Sequence, residues 1–268
     1  MGRSDVSDAT VAGARIPDWP GYGSGVYLRS LAITTPAPEQ VHLAMEDIVH
    51  AFEVTMTHAD GVVTGVEGRW HRHPFTSCAG AGQALQRLVG TPLSRQLFDL
   101  VRPIDTRQQC THLFDMACLG LLHVAWGHAD RRYDVVVPDA PDGPCTATLS
   151  VDGEPVLVCE LDADLQVLGP APLRGQRVLQ GFMRWVVANV PAEQQGLYFF
   201  FQKALFVSRA QKMDLAAMGG QPAPLSGPPA GTCFGSQSPL YEASTRLHTL
   251  RRFDANTFSQ ALSFVAPR

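Results

Sequence analysis

Hydrophobic and polar positions from Val26 to Ile33 alternate, which predicts a short strand ended by the Thr-Pro-Ala-Pro turn at 35–38. From Val41 to Thr57 the apolar positions predict a long strand, or two strands with a bend. Ala59-Asp60-Gly61 is a hairpin signal, and Val62 to Trp70 returns as its partner. Pro74 ends that strand, because proline cannot donate to a ladder. The period then changes. Ala79 to Val89 predicts a helix with Leu85, Leu88 and Val89 on one stripe and Gly90 as its stop. Leu113 to Trp126 is apolar almost throughout and predicts a central buried helix.

The second half changes character. Tyr133 to Pro138, Cys145 to Val151, Pro155 to Leu161 and Leu165 to Leu168 predict strands, the middle two joined by Asp152-Gly153. Arg177 to Val190 and Ala192 to Met213 predict helices split by Pro191, with an aromatic core supplied by residues such as Phe182, Trp185 and Phe199. Met218 to Pro239 is dense in Gly and Pro and predicts a flexible linker. The expected class is α+β, in four stretches: an N-terminal arm and short strand (1–40), a hairpin-and-helices module carrying the site (41–130), a strand group with two helices packed on it (131–215), and a linker with a C-terminal tail or docking helix (216–268).

Composition narrows the function classes. A net charge of −4 leaves no basic footprint for nucleic acid, and no apolar run reaches the ~20 residues of a membrane span. The N-terminal stretch carries Asp5, Asp8 and Asp18 and lacks the apolar core of a signal peptide. Six cysteines, mostly inside predicted strands and helices, do not form a dense disulfide pattern, so a cytoplasmic setting is expected. The expected partner is a small-molecule substrate, and a homo-oligomer remains open. Walker, dinucleotide-binding, Gly-x-Ser-x-Gly and His-Glu-x-x-His motifs are absent.

Chemistry concentrates between Asp47 and Asp115. Asp47 interrupts an apolar strand, where a carboxylate is costly unless paired, ligating or at an exposed edge. Cys78 falls at a predicted helix start, where the helix dipole favours a thiolate. Cys110 and His112 open the next helix, with Asp115 on the same face as His112 and able to orient it. Asp47, Cys78, Cys110 and His112 would suit Zn²⁺ or Fe²⁺; Asp47, His50, His112 and Asp115 are the candidate proton-transfer groups, and Arg69 and His73 the candidate substrate contacts. The plainer alternative is that both cysteines are small buried hydrophobes. An enzyme of lyase, isomerase or hydrolase type acting on an apolar or aromatic substrate is the leading expectation. A metal or cluster carrier and a non-catalytic binding protein stand as alternatives.

Two resemblances add to this. Met45-Glu-Asp47-Ile-Val-His50-Ala-Phe, His73-Pro-Phe-Thr-Ser-Cys78, Leu88-Val-Gly90, Cys110-Thr-His112-Leu-Phe-Asp115 and Gly181-Phe-Met-Arg-Trp185 resemble a bacterial family catalogued as a domain of unknown function. Residues 42–128 are also distantly similar to iron–sulfur scaffold proteins of the NifU type. That similarity implies a hairpin-and-helices fold and aligns Asp47, Cys78 and Cys110 with cluster-site positions. Met45 and Gln109 stand where that family has its first cysteine and its histidine, leaving His50 and His112 as replacements.

Overall fold

The computed structural model describes residues 16–254 and 256–265. Its core is one eight-stranded antiparallel sheet in the order β4-β3-β2-β1-β5-β6-β7-β8. The strands are β1 (Val26–Ala37), β2 (Gln40–Glu46), β3 (Ala51–Ala59), β4 (Val62–Arg72), β5 (Arg131–Pro138), β6 (Cys145–Val151), β7 (Glu154–Leu161) and β8 (Val167–Gly169). The α+β class is as expected. The hairpin strands and the second strand group join in one continuous sheet. β1 runs for twelve residues and pairs along both edges, with β2 on one side and β5 on the other. The strand assigned to the N-terminal arm is therefore the seam of the whole sheet.

Alternation along β1 fixes the two faces. Tyr27, Arg29, Leu31 and Ile33 share one face, and Leu28, Ser30 and Ala32 the other. The first face is covered by α3 (Thr111–Trp126) and α5 (Ala192–Ser208), which lie against β1, β2 and β3 and against β1 and β5 respectively. α3 is buried from Leu113 to His123, as its all-round apolar sequence predicts. Gly120 lets it approach the sheet: a Cβ there would come within 2.7 Å of Leu43 Cδ1 and 2.9 Å of Met56 Cε. α4 (Phe182–Asn189) packs on α5, and α2 (Leu97–Val101) on α3.

The helix expected over 79–89 breaks into a 3₁₀ turn, the four-residue α1 (Ala81–Ala84) and a second 3₁₀ turn. Gly82 lies against β4 so closely that a Cβ would meet the Gly68 carbonyl oxygen at 2.6 Å. Backbone contact with the strand takes the place of helix continuity. Two glycines among the four residues Ala79-Gly80-Ala81-Gly82 lower the helix propensity of a piece already too short to hold a regular helix on its own.

The larger correction concerns residues 216–268. The segment expected as a linker and tail wraps the protein. Phe234 N donates to Gln109 O, Leu247 N to Pro74 O, and Arg251 N to Ile48 O, at 2.8–3.0 Å. Ala223, Ser236 and Tyr241 are buried, and Phe253 and Ala261 cover Leu28 on the sheet's second face. Proline with its fixed φ and glycine with its freedom build short ordered turns here. Of the N-terminal arm, residues 1–15 lie outside the described residues; Trp19 docks by a hydrogen bond from its backbone N–H to Lys212 O and by the Arg252 guanidinium over its ring. No helix among the described residues is long and apolar enough to cross a membrane.

Candidate functional site

The β2–β3 connection is a four-residue turn, Asp47-Ile48-Val49-His50, closed by Asp47 N donating to His50 O at 2.8 Å. The Asp47 side chain folds into the same turn. Its Oδ1 accepts from Val49 N at 2.9 Å and His50 N at 2.8 Å, the pattern that makes aspartate a turn former. Arg72 Nη2 donates to the Asp47 and His50 carbonyls from outside. Asp47 is thus neither a strand residue nor a solvated edge carboxylate, being 0% exposed.

Its compensation comes from β1. Arg29 reaches Asp47 Oδ2 with Nη2 at 2.6 Å and Nε at 3.1 Å, and Tyr27 Oη stands 3.5 Å from the same oxygen. Burial alone would raise the Asp47 carboxyl, yet His50 and Arg29 outweigh it and hold it well below the usual range. Burial likewise opposes the Arg29 charge, and Tyr27 and Asp47 overcome it. Burial pushes the Tyr27 phenol upward. The ion pair is closed off at the surface, both side chains being buried.

His50 completes the arrangement. Its Nδ1 lies 3.0 Å from Asp47 Oδ1. An ionised carboxylate only accepts, so Nδ1 carries the hydrogen and Nε2 is the ring nitrogen turned away from Asp47. The His50 ring stacks on His112, with centroids 3.8 Å apart and planes 29° apart. Trp70 stands 6.3 Å from His50 by ring centroid, and His73 5.5 Å from Trp70. Burial above all, with the Arg29 charge acting in the same direction, holds the His112 imidazole well below its ordinary value and so neutral at pH 7. Burial also lowers His73, whose Nδ1 is bonded to Phe75 O.

Several expected members stand elsewhere. Asp115 pairs with Lys203 Nζ of α5 at 2.9 Å; burial raises its carboxyl and Lys203 opposes that. Arg69 is opposite Glu53 in the β3–β4 register and exposed, on the sheet face away from Trp70 and His50, so it is no contact of this site. Cys78 and Cys110 are buried, close enough with Cys233 to affect one another electrostatically, under the segment at 233–236. Burial pushes the Cys78 thiol up to about 12 and Cys110 higher still, the reverse of the thiolate expected at a helix start. Cys78 sits in a 3₁₀ turn of five residues, too short to carry a helix dipole. Among the described residues no group of three or more His, Cys, Asp or Glu is placed to hold a metal ion. The expected ligand set divides into an Asp47–His50–His112 cluster, whose carboxylate is already taken by arginine and histidine, and a separate thiol group.

Sequence reasoning missed Tyr27, Arg29, Trp70 and Lys203. Arg29 had a usable signal: it shares the inward face of a strand with Tyr27, Leu31 and Ile33, where an arginine needs a carboxylate.

Fold and site define an α+β protein with a buried arginine–aspartate–histidine cluster. Residues 32–121, a stretch that holds Asp47, His50 and His112 and stops short of Arg29, match the model of the family described as protein of unknown function (DUF2889). No curated protein and no solved structure matches the chain, and the iron–sulfur scaffold resemblance gains no support from them.

Proposed function

We propose that the protein is a small-molecule enzyme in which His50 Nε2 moves a proton to or from a planar, apolar substrate. The observation that carries this reading is the one-sided engagement of His50. Nδ1 is tied to Asp47, and Asp47 is tied to Arg29 and two backbone amides. That fixes tautomer and ring orientation, as a general base requires. Neutral His112, stacked on His50, adds a second group able to donate or accept. The rings of His50, His112, Trp70 and His73 offer flat apolar surfaces, which suit an aromatic or conjugated substrate. Lyase and isomerase chemistry follow most directly, since both turn on removing and returning one proton. In this reading the side chains themselves carry the chemistry, and no step is assigned to Zn²⁺ or Fe²⁺.

The test is a proton NMR screen of small aromatic and conjugated hydroxy- and oxo-compounds in D₂O. The native chain should convert at least one, or exchange its acidic C–H for deuterium, and His50→Gln should slow that by about 10²-fold or more. A His50→Gln protein as active as the native chain would overturn the reading.

A further inference from the structure

The opposite end of α3 carries a second site. A cavity of about 240 Å³ lies between α3, β1 and the start of α5. Its floor is Leu31, Ile33, Leu119, Leu122, Leu197 and Phe200, drawn from all three elements. Its rim holds Trp126, His128, Arg131 and the first turn of α5 at Ala192–Gln194. Taking α3 at 1.5 Å per residue, His123 lies about 16 Å along the axis from His112, so this cavity is distinct from the His50 site.

The polar atoms here lack partners. His123 is 2% exposed and lines the cavity, yet its ring nitrogens lack a well-formed hydrogen bond and have only the His128 backbone nearby. Trp126 Nε1, which can only donate, is also buried and unpaired. Buried polar groups in folded proteins are almost always satisfied, so two such residues facing one apolar cavity call for an acceptor from outside the chain. The rest of the rim is biased the same way. Arg131 is cationic, and α5 follows Pro191 with no side-chain cap, so the Ala192 and Glu193 amides of its first turn remain as donors, Gln194 N being bonded to Pro191 O. Glu193 is the opposing charge at the mouth. Donors outnumber acceptors around an aliphatic floor.

We propose that this cavity binds a small carboxylate with an apolar body, the body on the leucine and phenylalanine floor and the carboxylate among Trp126 Nε1, Arg131 and the α5 first turn, with His123 giving one further N–H. The volume lies under the ~300–1,000 Å³ of pockets for drug-sized ligands, which limits the ligand to a short chain or a single ring.

Hexanoate is the probe, with hexan-1-ol as the uncharged control, added to the full chain. Hexanoate should bind saturably and shift the Trp126 indole N–H resonance, and hexan-1-ol should bind at least ten-fold more weakly. Arg131→Gln should weaken hexanoate about ten-fold or more. Glu193→Gln should tighten it, a direction that general damage to the fold would not produce, and this variant decides the matter if Arg131→Gln does not fold. An unmoved Trp126 resonance, equal binding of acid and alcohol, or hexanoate affinity unchanged in Glu193→Gln and Arg131→Gln would overturn the proposal.

Discussion

Arg29 and Asp47 meet where neither could stand alone. A buried ion pair adds little net stability, because desolvation offsets most of the attraction, but removing one partner leaves an unmatched buried charge. Asp47→Asn, nearly isosteric and from sequence alone expected to spare the fold, should therefore destabilise by about 3–5 kcal/mol, read as a lowered Tm or denaturant midpoint. Changing Arg29 to Met as well should recover part of that loss, since the pair goes together. His50→Gln keeps an N–H able to reach Asp47, so it should cost less stability than Asp47→Asn and act chiefly on turnover. A second expectation concerns acid. Burial holds His123 neutral down to about 4, against the ordinary 6.5 of the unfolded chain. Between those values the unfolded state binds a proton that the folded state refuses, so stability falls as pH drops from about 6.5 to 4. Asp47, whose folded value is depressed, keeps its contribution through that window and loses it only at lower pH. Denaturant titrations at pH 7 and 4.5 on native protein and His123→Phe check this: the variant should show the smaller drop. Asp47 was legible in the sequence as a carboxylate in an apolar run. Its partner was not, because pairing across 18 positions depends on register that periodicity does not encode.

At the scale of elements, α3 joins the His50 cluster at one end to the second cavity at the other. It starts at Cys110 and His112 beside the turn of Asp47 and ends at His123 and Trp126 over the second cavity. Its distance from the sheet is set at Gly120, where Leu43 and Met56 leave no room for a methyl group. Gly120→Ala raises intrinsic helix propensity by up to about 1 kcal/mol, yet it forces the helix off β2 and β3. Overpacking of that kind costs roughly 1–3 kcal/mol, so the net change should be destabilising, visible as a lowered Tm. A higher Tm would show that the helix tolerates the shift. The helix itself was plain in the sequence, as were the strands from β2 to β7 to within a few residues. The short pieces at 76–88 were not, since a leucine stripe reads as one helix whether or not glycines interrupt it.

The whole molecule is closed by its C-terminal quarter, which composition misrepresents. Gly and Pro density predicts a linker because few side chains there can build a core. What this segment does is cover one that exists already. Thr76 N, Pro74 O, Gln109 O and Ile48 O all find their backbone partners in residues 234–251. Glu46, buried on the sheet's second face, takes the Arg251 guanidinium at 2.9 Å and the Leu262 amide at 2.7 Å. Ser77 and Ser244 exchange hydrogen bonds beside the buried Cys78, and Arg246 stacks over Phe75. Ending the chain after Leu215 would expose Leu28, Phe75 and Cys78 together and strip the buried Glu46 of both these partners. Each fully buried large apolar side chain stabilises by about 1.5–3 kcal/mol, and whole domains are stable by only ~5–15 kcal/mol, so the loss rivals the total. The sequence alone suggests that such a truncation leaves a folded core. The structure predicts the opposite: residues 1–215 should lose cooperative unfolding and near-ultraviolet circular dichroism, and should gain dye-binding apolar surface. A truncated chain that melts in one sharp transition near the native Tm would show that the sheet and its helices stand without their wrapping.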